Sequence, residues 1–297
     1  MTLNHPKYSK KPTFKKTGLE QPITKIASPL LTNQNDIWNI DGTCVMIAPG
    51  LAITAKHVIT DAVKKYDKID LDIPSKEDIE LQVTHNSYVF QIIDGKIGYR
   101  WSVKQYFPCP ISDICYLTLR PMFDFKKLPV PQNLSITLIP PTVGERIQAF
   151  GYSRSGVKID GKKIELDVNP MTTVGEVITV YDQRRDTKLI SFPAFQTNAR
   201  FDPGMSGGPV FNDSGKLCGL ICSGMFLDNS ESDHISFASL LWPSMGTKVW
   251  LKLEYHDLKE NFPVLFLAEH EYIQAEGWER VSLNSPNLVT WNASADE

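Results

Sequence analysis

The sequence has little of what indicates a secreted, membrane-bound or nucleic-acid-binding protein. No apolar run approaches the roughly 20 residues that cross a bilayer, and residues 1–25 contain no apolar stretch typical of a secretory signal. The net charge is −3, whereas proteins that bind nucleic acids through phosphate contacts are strongly basic. We therefore expect neither a membrane nor a nucleic acid as a partner.

Cysteine is also scarce, with five residues in a chain of 297. An odd and sparse count is unlike a disulfide-dense secreted scaffold. No C-x-x-C pair occurs among Cys44, Cys109, Cys115, Cys218 and Cys222, so a structural zinc site is not indicated. We expect free or buried thiols and a reducing compartment, the cytoplasm.

Charge sets the two ends of the chain apart from its middle. The first 25 residues contain six lysines and one acid, so we interpret residues 1–22 as a basic arm, either solvated or docking an acidic partner. The last part, residues 248–297, is acidic. Within it, Val264–Arg280 lacks proline and is predicted to be helical, with Gly277 near the helix end.

The middle of the chain reads as short strands. The pair Pro49-Gly50 separates two apolar runs, which predicts a hairpin, and a second hairpin is predicted across residues 212–215. Further strands are predicted at Ile114–Leu119, Ile136–Ile139, Ile147–Tyr152, Val174–Tyr181 and Leu189–Phe195. Such short strands with frequent turns predict an all-β barrel or sandwich, divided here into residues 23–130 and 131–247.

The residues that carry chemistry begin with the octapeptide at positions 202–209, Asp-Pro-Gly-Met-Ser-Gly-Gly-Pro. A serine hydroxyl is a weak nucleophile and needs a nearby base and donors for an oxyanion. Glycines around Ser206 let the chain turn sharply and bring main-chain N–H groups to a substrate oxygen. We expect Gly204 and Ser206 to supply those N–H groups.

His57 and Asp113 are the residues predicted to activate this serine. His57 stands at the end of a predicted strand, where an imidazole reaches the rim of a barrel. Asp113 heads an apolar strand, so its carboxylate would be partly buried and would accept the Nδ1 proton of the imidazole. Asp61 and Asp94 are weaker candidates, because neither leads such a strand.

Three segments together resemble the signatures of trypsin-like (chymotrypsin-fold) serine peptidases: Thr54–His57, Asp113–Leu117 and Gly204–Pro209. They follow each other in the order His, Asp, Ser of that family. The lead-in at 197–204 is closest to the disulfide-free bacterial branch, similar to high-temperature-requirement proteases. The resemblance implies two six-stranded antiparallel β-barrels with the site in the cleft between them, to which this chain adds a C-terminal helical extension.

The resemblance also implies a serine endopeptidase that acts on proteins or peptides without a metal or organic cofactor. In this reading Ser206 attacks the peptide carbonyl, His57 takes its proton and Asp113 stabilises the imidazolium. Activity should then rise with pH through about 6.5–7, as His57 loses its proton.

Substrate selection is the next expectation from the resemblance. It places Arg200, six residues before the serine, at the base of the primary pocket, and Cys222, Ser223 and Gly224 in one wall of it. A buried guanidinium there would favour an acidic P1 side chain. Two alternatives stay open: Arg200 points to solvent, or Asp202 neutralises it.

Three residues depart from the pattern of the family. Val58 stands where secreted members have a cysteine, so that disulfide is absent. Met205 replaces the aspartate that pairs with a newly cut N-terminus in zymogens, so we predict no activation of that kind. Lys56 stands beside His57, where a nearby cation would disfavour the imidazolium.

Other functions are weighed against the peptidase. An esterase of the α/β-hydrolase fold needs a strand before the serine and a helix after it, but residues 198–203 are mostly polar and glycine and proline follow. A catalytically idle binding module of the same fold is a second alternative. The basic arm and the acidic end also fit a protease that is switched by a regulatory protein partner.

Overall fold

The structure is a computed structural model that describes residues 12–68, 85–122, 134–160, 163–226, 234–250, 261–285 and 288–293. Its first elements are strand β1 (Thr13–Lys16) and a short 3-10 turn at Pro22–Lys25. Residues 1–11 of the basic arm lie outside the described residues.

Six antiparallel strands close the first barrel. They are β2 (Ala27–Gln34), β3 (Ile37–Ala48), β4 (Leu51–Ala55), β5 (Asn86–Ile93), β6 (Lys96–Pro108) and β7 (Ile114–Pro121), arranged in the order β2-β3-β4-β7-β6-β5. The hairpin predicted at Pro49-Gly50 is confirmed, since β3 and β4 pair on either side of it.

A helix that the sequence analysis did not predict, α1 (Lys56–Tyr66), follows β4 directly. Its buried residues are Val58, Ile59, Ala62 and Val63. These positions recur at the spacing of one helix face, and Val58, Ile59 and Val63 pack into the same core as Leu30, Trp101 and Leu117 of the barrel. Burial of this face holds the start of α1 at the barrel rim.

The second barrel also has six antiparallel strands. The elements of this region are β8 (Ser135–Thr137), β9 (Arg146–Tyr152), β10 (Gly156–Asp160), β11 (Lys163–Asp167), β12 (Pro170–Tyr181), β13 (Ala194–Thr197), β14 (Pro209–Phe211), β15 (Leu217–Phe226) and β16 (His234–Leu240). The order β14-β9-β12-β13-β16-β15 closes on itself, because β14 pairs with both β9 and β15. The expected all-β fold with two six-stranded barrels is confirmed.

Two local expectations change in this region. The strand predicted at Leu189–Phe195 is limited to β13, because the Asp186 carboxylate accepts the N–H groups of Lys188, Leu189 and Ile190 and folds the chain into a turn. Residues 13–16, expected in an arm, form β1, which pairs antiparallel with β12.

The C-terminal region contains β17 (Lys248–Trp250), β18 (Asn261–Pro263), α2 (Val264–Glu269), β19 (Gln274–Glu276), β20 (Val281–Ser285) and β21 (Leu288–Trp291). The helix predicted over Val264–Arg280 is therefore wrong beyond Glu269. The N–H groups of Tyr272 and Ile273 donate to the Leu267 carbonyl and turn the chain, after which β19 pairs with β8. Gly277, with a φ of 79°, precedes a 3-10 turn rather than ending a long helix.

A hydrophobic core joins the two barrels. Val45, Ile47 and Ile53 of the first barrel belong to the same buried cluster as Phe150 and Phe195 of the second. Within the described part of the chain, neither helix is of the length and apolarity that a membrane crossing requires. The contact between the barrels positions the site described next.

Candidate active site

Ser206 lies in the loop between β13 and β14, and two glycines fix the course of this loop. Gly204 and Gly207 have φ angles of 89° and 81°, which favour glycine. A Cβ on Gly204 would lie 2.7 Å from the carbonyl oxygen of Tyr152, and one on Gly207 would lie 2.2 Å from that of Thr43. A side chain at either position would therefore displace the serine.

The peptide units of this loop are anchored through their carbonyl groups. The Pro203 carbonyl accepts the N–H of Arg154 at 3.0 Å, and the Met205 carbonyl accepts the N–H of Gly208 at 2.9 Å. In a trans peptide the C=O and the following N–H point in opposite directions. Each anchored carbonyl therefore sets the direction of the next N–H group.

The two N–H groups set in this way are those of Gly204 and Ser206. Among the backbone hydrogen bonds of the described residues neither of them donates one, whereas the N–H groups of Met205, Gly207 and Gly208 do. Backbone donors without an internal partner need another acceptor. Two such donors beside a serine hydroxyl are the type of group from which an oxyanion hole is built.

His57 and Asp113 form a doubly hydrogen-bonded pair. His57 is the second residue of α1, and Asp113 directly precedes β7. The His57 Nδ1 lies 2.7 Å from Asp113 Oδ2, and the His57 main-chain N–H donates to Oδ1 at 2.9 Å. The carboxylate side chain is 8% exposed and the imidazole 37%, so the aspartate is fixed inside while the histidine reaches the surface.

His57 and Ser206 line the same cleft, which has a volume of about 270 Å³. Its walls are formed by Asp41, His57, Val58, Asp61, Ala62, Lys65, Pro203, Gly204 and Ser206. Among the hydrogen bonds of the described residues, none joins the Ser206 hydroxyl to the imidazole. This is common in enzymes without substrate, where the catalytic hydrogen bond tightens in the complex.

The electrostatics of the cleft favour a charged His57. Burial lowers the pKa of the imidazole, but the hydrogen bond to Asp113 and the charges of Asp113 and Asp61 outweigh this, so the pKa is raised above its ordinary value of 6.5. Lys56, expected to oppose the imidazolium, directs its ammonium to the Cys109 carbonyl at 2.8 Å.

The other two candidate aspartates do not reach Nδ1 of His57. Asp61 lies one helical turn after His57 and lines the cleft. Asp94 forms a surface ion pair with Lys25 at 2.9 Å. A second pair, His85 with Asp67, has both side chains 1% exposed, and neither residue lines the cleft.

Asp41 and Lys65 are cleft residues that the sequence analysis missed. Burial raises the pKa of the Asp41 carboxyl, against hydrogen bonds and charges that lower it. Both residues reach the cleft through the docking of β3 and α1 beside the serine loop, and no local pattern in the sequence signals this.

In the predicted primary pocket, Arg200 is already paired. Its Nε and one terminal nitrogen donate to the two oxygens of Asp202 at 2.7 and 3.2 Å. Its guanidinium also lies 4.6 Å from the centre of the Phe14 ring on β1. Of the alternatives left open, this geometry matches neutralisation of Arg200 by Asp202. Because the guanidinium is already paired, it no longer supports a preference for acidic P1 side chains.

The segment predicted to form one wall of the primary pocket is packed closely against the neighbouring backbone. A Cβ on Gly224 would lie 2.3 Å from the Phe201 carbonyl oxygen, so no side chain larger than that of glycine fits at this position. The Cys222 thiol donates to the Phe237 carbonyl at 3.1 Å and therefore points inward, while Ser223 is partly exposed.

The structure shows where Met205 and the five cysteines lie. Met205 is fully buried, and its sulfur accepts the N–H of Asp202 at 3.4 Å. All five cysteines are free and buried. In the described ranges, no three His, Cys, Asp or Glu side chains gather in a way that could hold a metal ion.

The sequence matches the model of one protein family, the trypsin-like peptidase domain, over residues 42–220. This match covers more than half of the chain. The chain belongs to the trypsin-like peptidase family. The family identifies it as a serine endopeptidase, so the prediction of this class from the three sequence segments is confirmed.

Solved structures of proteases are similar to this family member. The Rv3671c protease from M. tuberculosis in its active form is 16% identical, with a TM-score of 0.46, covering 80% of this chain and 88% of that one. The HtrA-type protease AlgW with a decapeptide is 18% identical, with a TM-score of 0.46, covering 73% of this chain and 61% of that one. No curated protein matches the sequence.

Proposed function

We propose that this peptidase cleaves peptide bonds with a triad of Ser206, His57 and Asp113, through an acyl-enzyme. One observation carries the proposal: a buried carboxylate holds Nδ1 of His57 in the same cleft that exposes Ser206, beside two N–H groups that donate no backbone hydrogen bond within the described part of the chain. A binding module without activity has no need for this combination of base and oxyanion donors.

The groups of the site divide the steps of the proposed reaction among them. The Ser206 Oγ attacks the scissile carbonyl carbon while His57 Nε2 takes its proton, and Asp113 stabilises the imidazolium. The N–H groups of Gly204 and Ser206 donate to the oxyanion, a contribution of about 3–4 kcal/mol per donor in comparable sites. His57 then protonates the leaving amine, and water releases the acyl group by the same steps.

Location and regulation are part of this proposal. Five free, buried thiols support a reducing compartment, the cytoplasm. Regulation by a protein partner is supported by Phe14, because β1, which lies within the predicted arm, places this ring against the guanidinium of Arg200. A partner that binds the arm would therefore act close to the primary pocket.

Replacement of the nucleophile tests the proposal. Ser206→Ala should lower turnover of an unfolded protein substrate by at least about 10⁴-fold and abolish labelling by a fluorophosphonate, with thermal unfolding unchanged. Ser214→Ala, in the exposed turn between β14 and β15, is the matched control and should keep both activities. Cleavage retained by the Ser206 variant would remove the nucleophile assignment.

A further inference from the structure

Thr43 connects the first barrel to the serine loop of the second. It lies in β3, and its side chain is fully buried. Its hydroxyl donates to the Gly204 carbonyl at 3.1 Å and accepts the N–H of Tyr152 at 3.0 Å. Its main-chain N–H donates to the Ser206 carbonyl at 2.9 Å.

The peptide unit that Thr43 holds lies between the two oxyanion donors. The carbonyls of Pro203 and Met205, on either side of it, are held by main-chain N–H groups, which almost any residue supplies. Among the hydrogen bonds of the described residues, the Gly204 carbonyl is held by a side chain. At this point of the loop the identity of one residue, rather than the backbone alone, sets the geometry.

This unit needs an anchor because it follows a glycine. Without a Cβ, the peptide planes next to Gly204 rotate at little steric cost. A rotation would change the relative direction of the N–H groups of Gly204 and Ser206, and would move the serine between them. A buried carbonyl that loses its donor would also seek another partner, which makes such a rotation more favourable.

The anchor is itself held in place. The Thr54 hydroxyl donates to the Thr43 carbonyl at 2.7 Å, so the backbone of β3 is tied to β4 at this position. Both partners of the Thr43 hydroxyl, Gly204 and Tyr152, belong to the second barrel. The geometry of the serine loop therefore depends, through this hydroxyl, on how the two barrels pack against each other.

We propose that Thr43 is a positioning residue, whose hydroxyl fixes the peptide unit between the two oxyanion donors in the orientation needed for catalysis. The inference rests on the proposed function and deepens it. It assigns the alignment of the oxyanion hole in part to a side chain of the opposite barrel.

The test compares variants that keep or remove the hydroxyl. Thr43→Val preserves the shape of the side chain but removes the hydrogen bonds, and Thr43→Ser keeps the hydroxyl. We expect Thr43→Val to lower kcat about 10- to 100-fold, on the scale of losing part of one oxyanion donor, with KM changed less than about threefold. Thr43→Ser should recover kcat to within about threefold of the unchanged protein.

A transition-state mimic separates positioning from general destabilisation. A peptide aldehyde forms a hemiacetal with a serine nucleophile, and the oxygen of this adduct occupies the oxyanion hole. Its affinity should fall in Thr43→Val by about the same factor as kcat/KM. All rates are referred to the concentration of folded protein, measured by thermal unfolding under the assay conditions.

Thr118→Val is the matched control. Thr118 is a buried threonine of the same barrel, and its hydroxyl has no hydrogen-bond partner among the described residues. The change should leave kcat and aldehyde affinity unchanged. If Thr43→Val does not fold, Thr43→Ala takes its place with the same expectations.

The outcomes separate this inference from the function on which it rests. Unchanged kcat in Thr43→Val, equal losses in Thr43→Val and Thr118→Val, or no recovery in Thr43→Ser would overturn the role of Thr43 while the protease stands. An unchanged protein that neither cleaves nor reacts at Ser206 would overturn the proposed function, and this inference with it.

Discussion

The serine loop and the predicted primary pocket are neighbours in the chain, but their geometry is held by different forces. In the serine loop, successive carbonyls are bound by N–H or hydroxyl donors, and glycines leave no space for a side chain. In the primary pocket, an ion pair and a ring contact hold Arg200. The loop depends mainly on the backbone, whereas the pocket depends on which side chains are present.

This difference teaches which part of the site tolerates change. Main-chain hydrogen bonds survive most substitutions, so we expect the course of the serine loop to withstand most changes other than those at its glycines and at Thr43. In a pocket, by contrast, selectivity changes with substitution of the side chains that contact the substrate. We therefore expect the chemistry and the substrate preference of this protein to respond separately to mutation.

The largest effect on the chemistry, apart from loss of Ser206, is expected from Asp113→Asn. An asparagine keeps the shape of the side chain, but its amide can present an N–H donor where the carboxylate accepted the hydrogen bond of Nδ1–H. His57 then adopts the wrong tautomer, and kcat falls by about 10⁴-fold. Steady-state kinetics with one peptide substrate measures this, and KM should change little.

The matched control for this substitution is Asp94→Asn. Asp94 is 73% exposed in its ion pair with Lys25 and has a φ of 50°, a conformation that asparagine tolerates. The Asp94→Asn variant should be as active as the unchanged protein. A fall of less than about tenfold in Asp113→Asn would contradict the triad.

A smaller effect is expected from pH. Catalysis needs neutral His57, whose pKa is raised above 6.5 because Asp113 and Asp61 outweigh the effect of burial. Activity should therefore fall by about tenfold per pH unit below that raised value, and the midpoint of the acid limb in kcat/KM should lie above pH 6.5. This places the midpoint higher than an isolated histidine would.

Asp61→Asn tests whether the charge of Asp61 raises the pKa of His57. Removing this negative charge removes a stabilisation of the imidazolium, so the midpoint should move to lower pH and more activity should remain in acid. A midpoint at or below 6.5 in the unchanged protein, or a shift to higher pH in the variant, would show that these charges do not act on His57.

The sequence predicts the parts of the site that are local in the chain. The glycines around Ser206 and the strand that follows Asp113 are visible as short motifs, because their roles arise within a few residues. Thr43 is different, since its partner Gly204 lies 161 residues away. Only the docking of two barrels brings them together, and no single-chain pattern encodes that contact.

The errors in the fold have equally specific causes. The signal for α1 is the helical spacing of its buried residues, Val58, Ile59, Ala62 and Val63. Because His57 is interpreted as the end of the preceding strand at a barrel rim, no helix is predicted there. The long helix predicted after Val264 followed residue propensity, which lost to the pairing of β19 with β8. Strand β6 interrupts its apolar residues with Arg100, Ser102 and Lys104, so it lacks the continuous apolar run used to find strands.

The smallest effect is expected from replacing Arg200 in the predicted primary pocket. Arg200→Ala leaves the Asp202 carboxylate, which is 4% exposed, without its bidentate partner. We expect a loss of about 1–3 kcal/mol in the free energy of unfolding, since the buried carboxylate is left without these donors, and a correspondingly lower Tm. The P1 preference in a peptide library should not change, because Asp202 already neutralises the guanidinium.

Arg185→Ala is the matched control for this change, because Arg185 also pairs with an aspartate and lies 5.0 Å from the centre of a phenylalanine ring. Both members of that pair are 34% exposed, and exposed pairs contribute about 0–1 kcal/mol. The smaller Tm change expected in Arg185→Ala would show that burial of Asp202, and not the arginine itself, makes the pocket pair stabilising. A P1 preference for Asp or Glu that disappears in Arg200→Ala would instead show that the guanidinium exchanges Asp202 for the substrate, and the pocket would then be set by recognition rather than by packing.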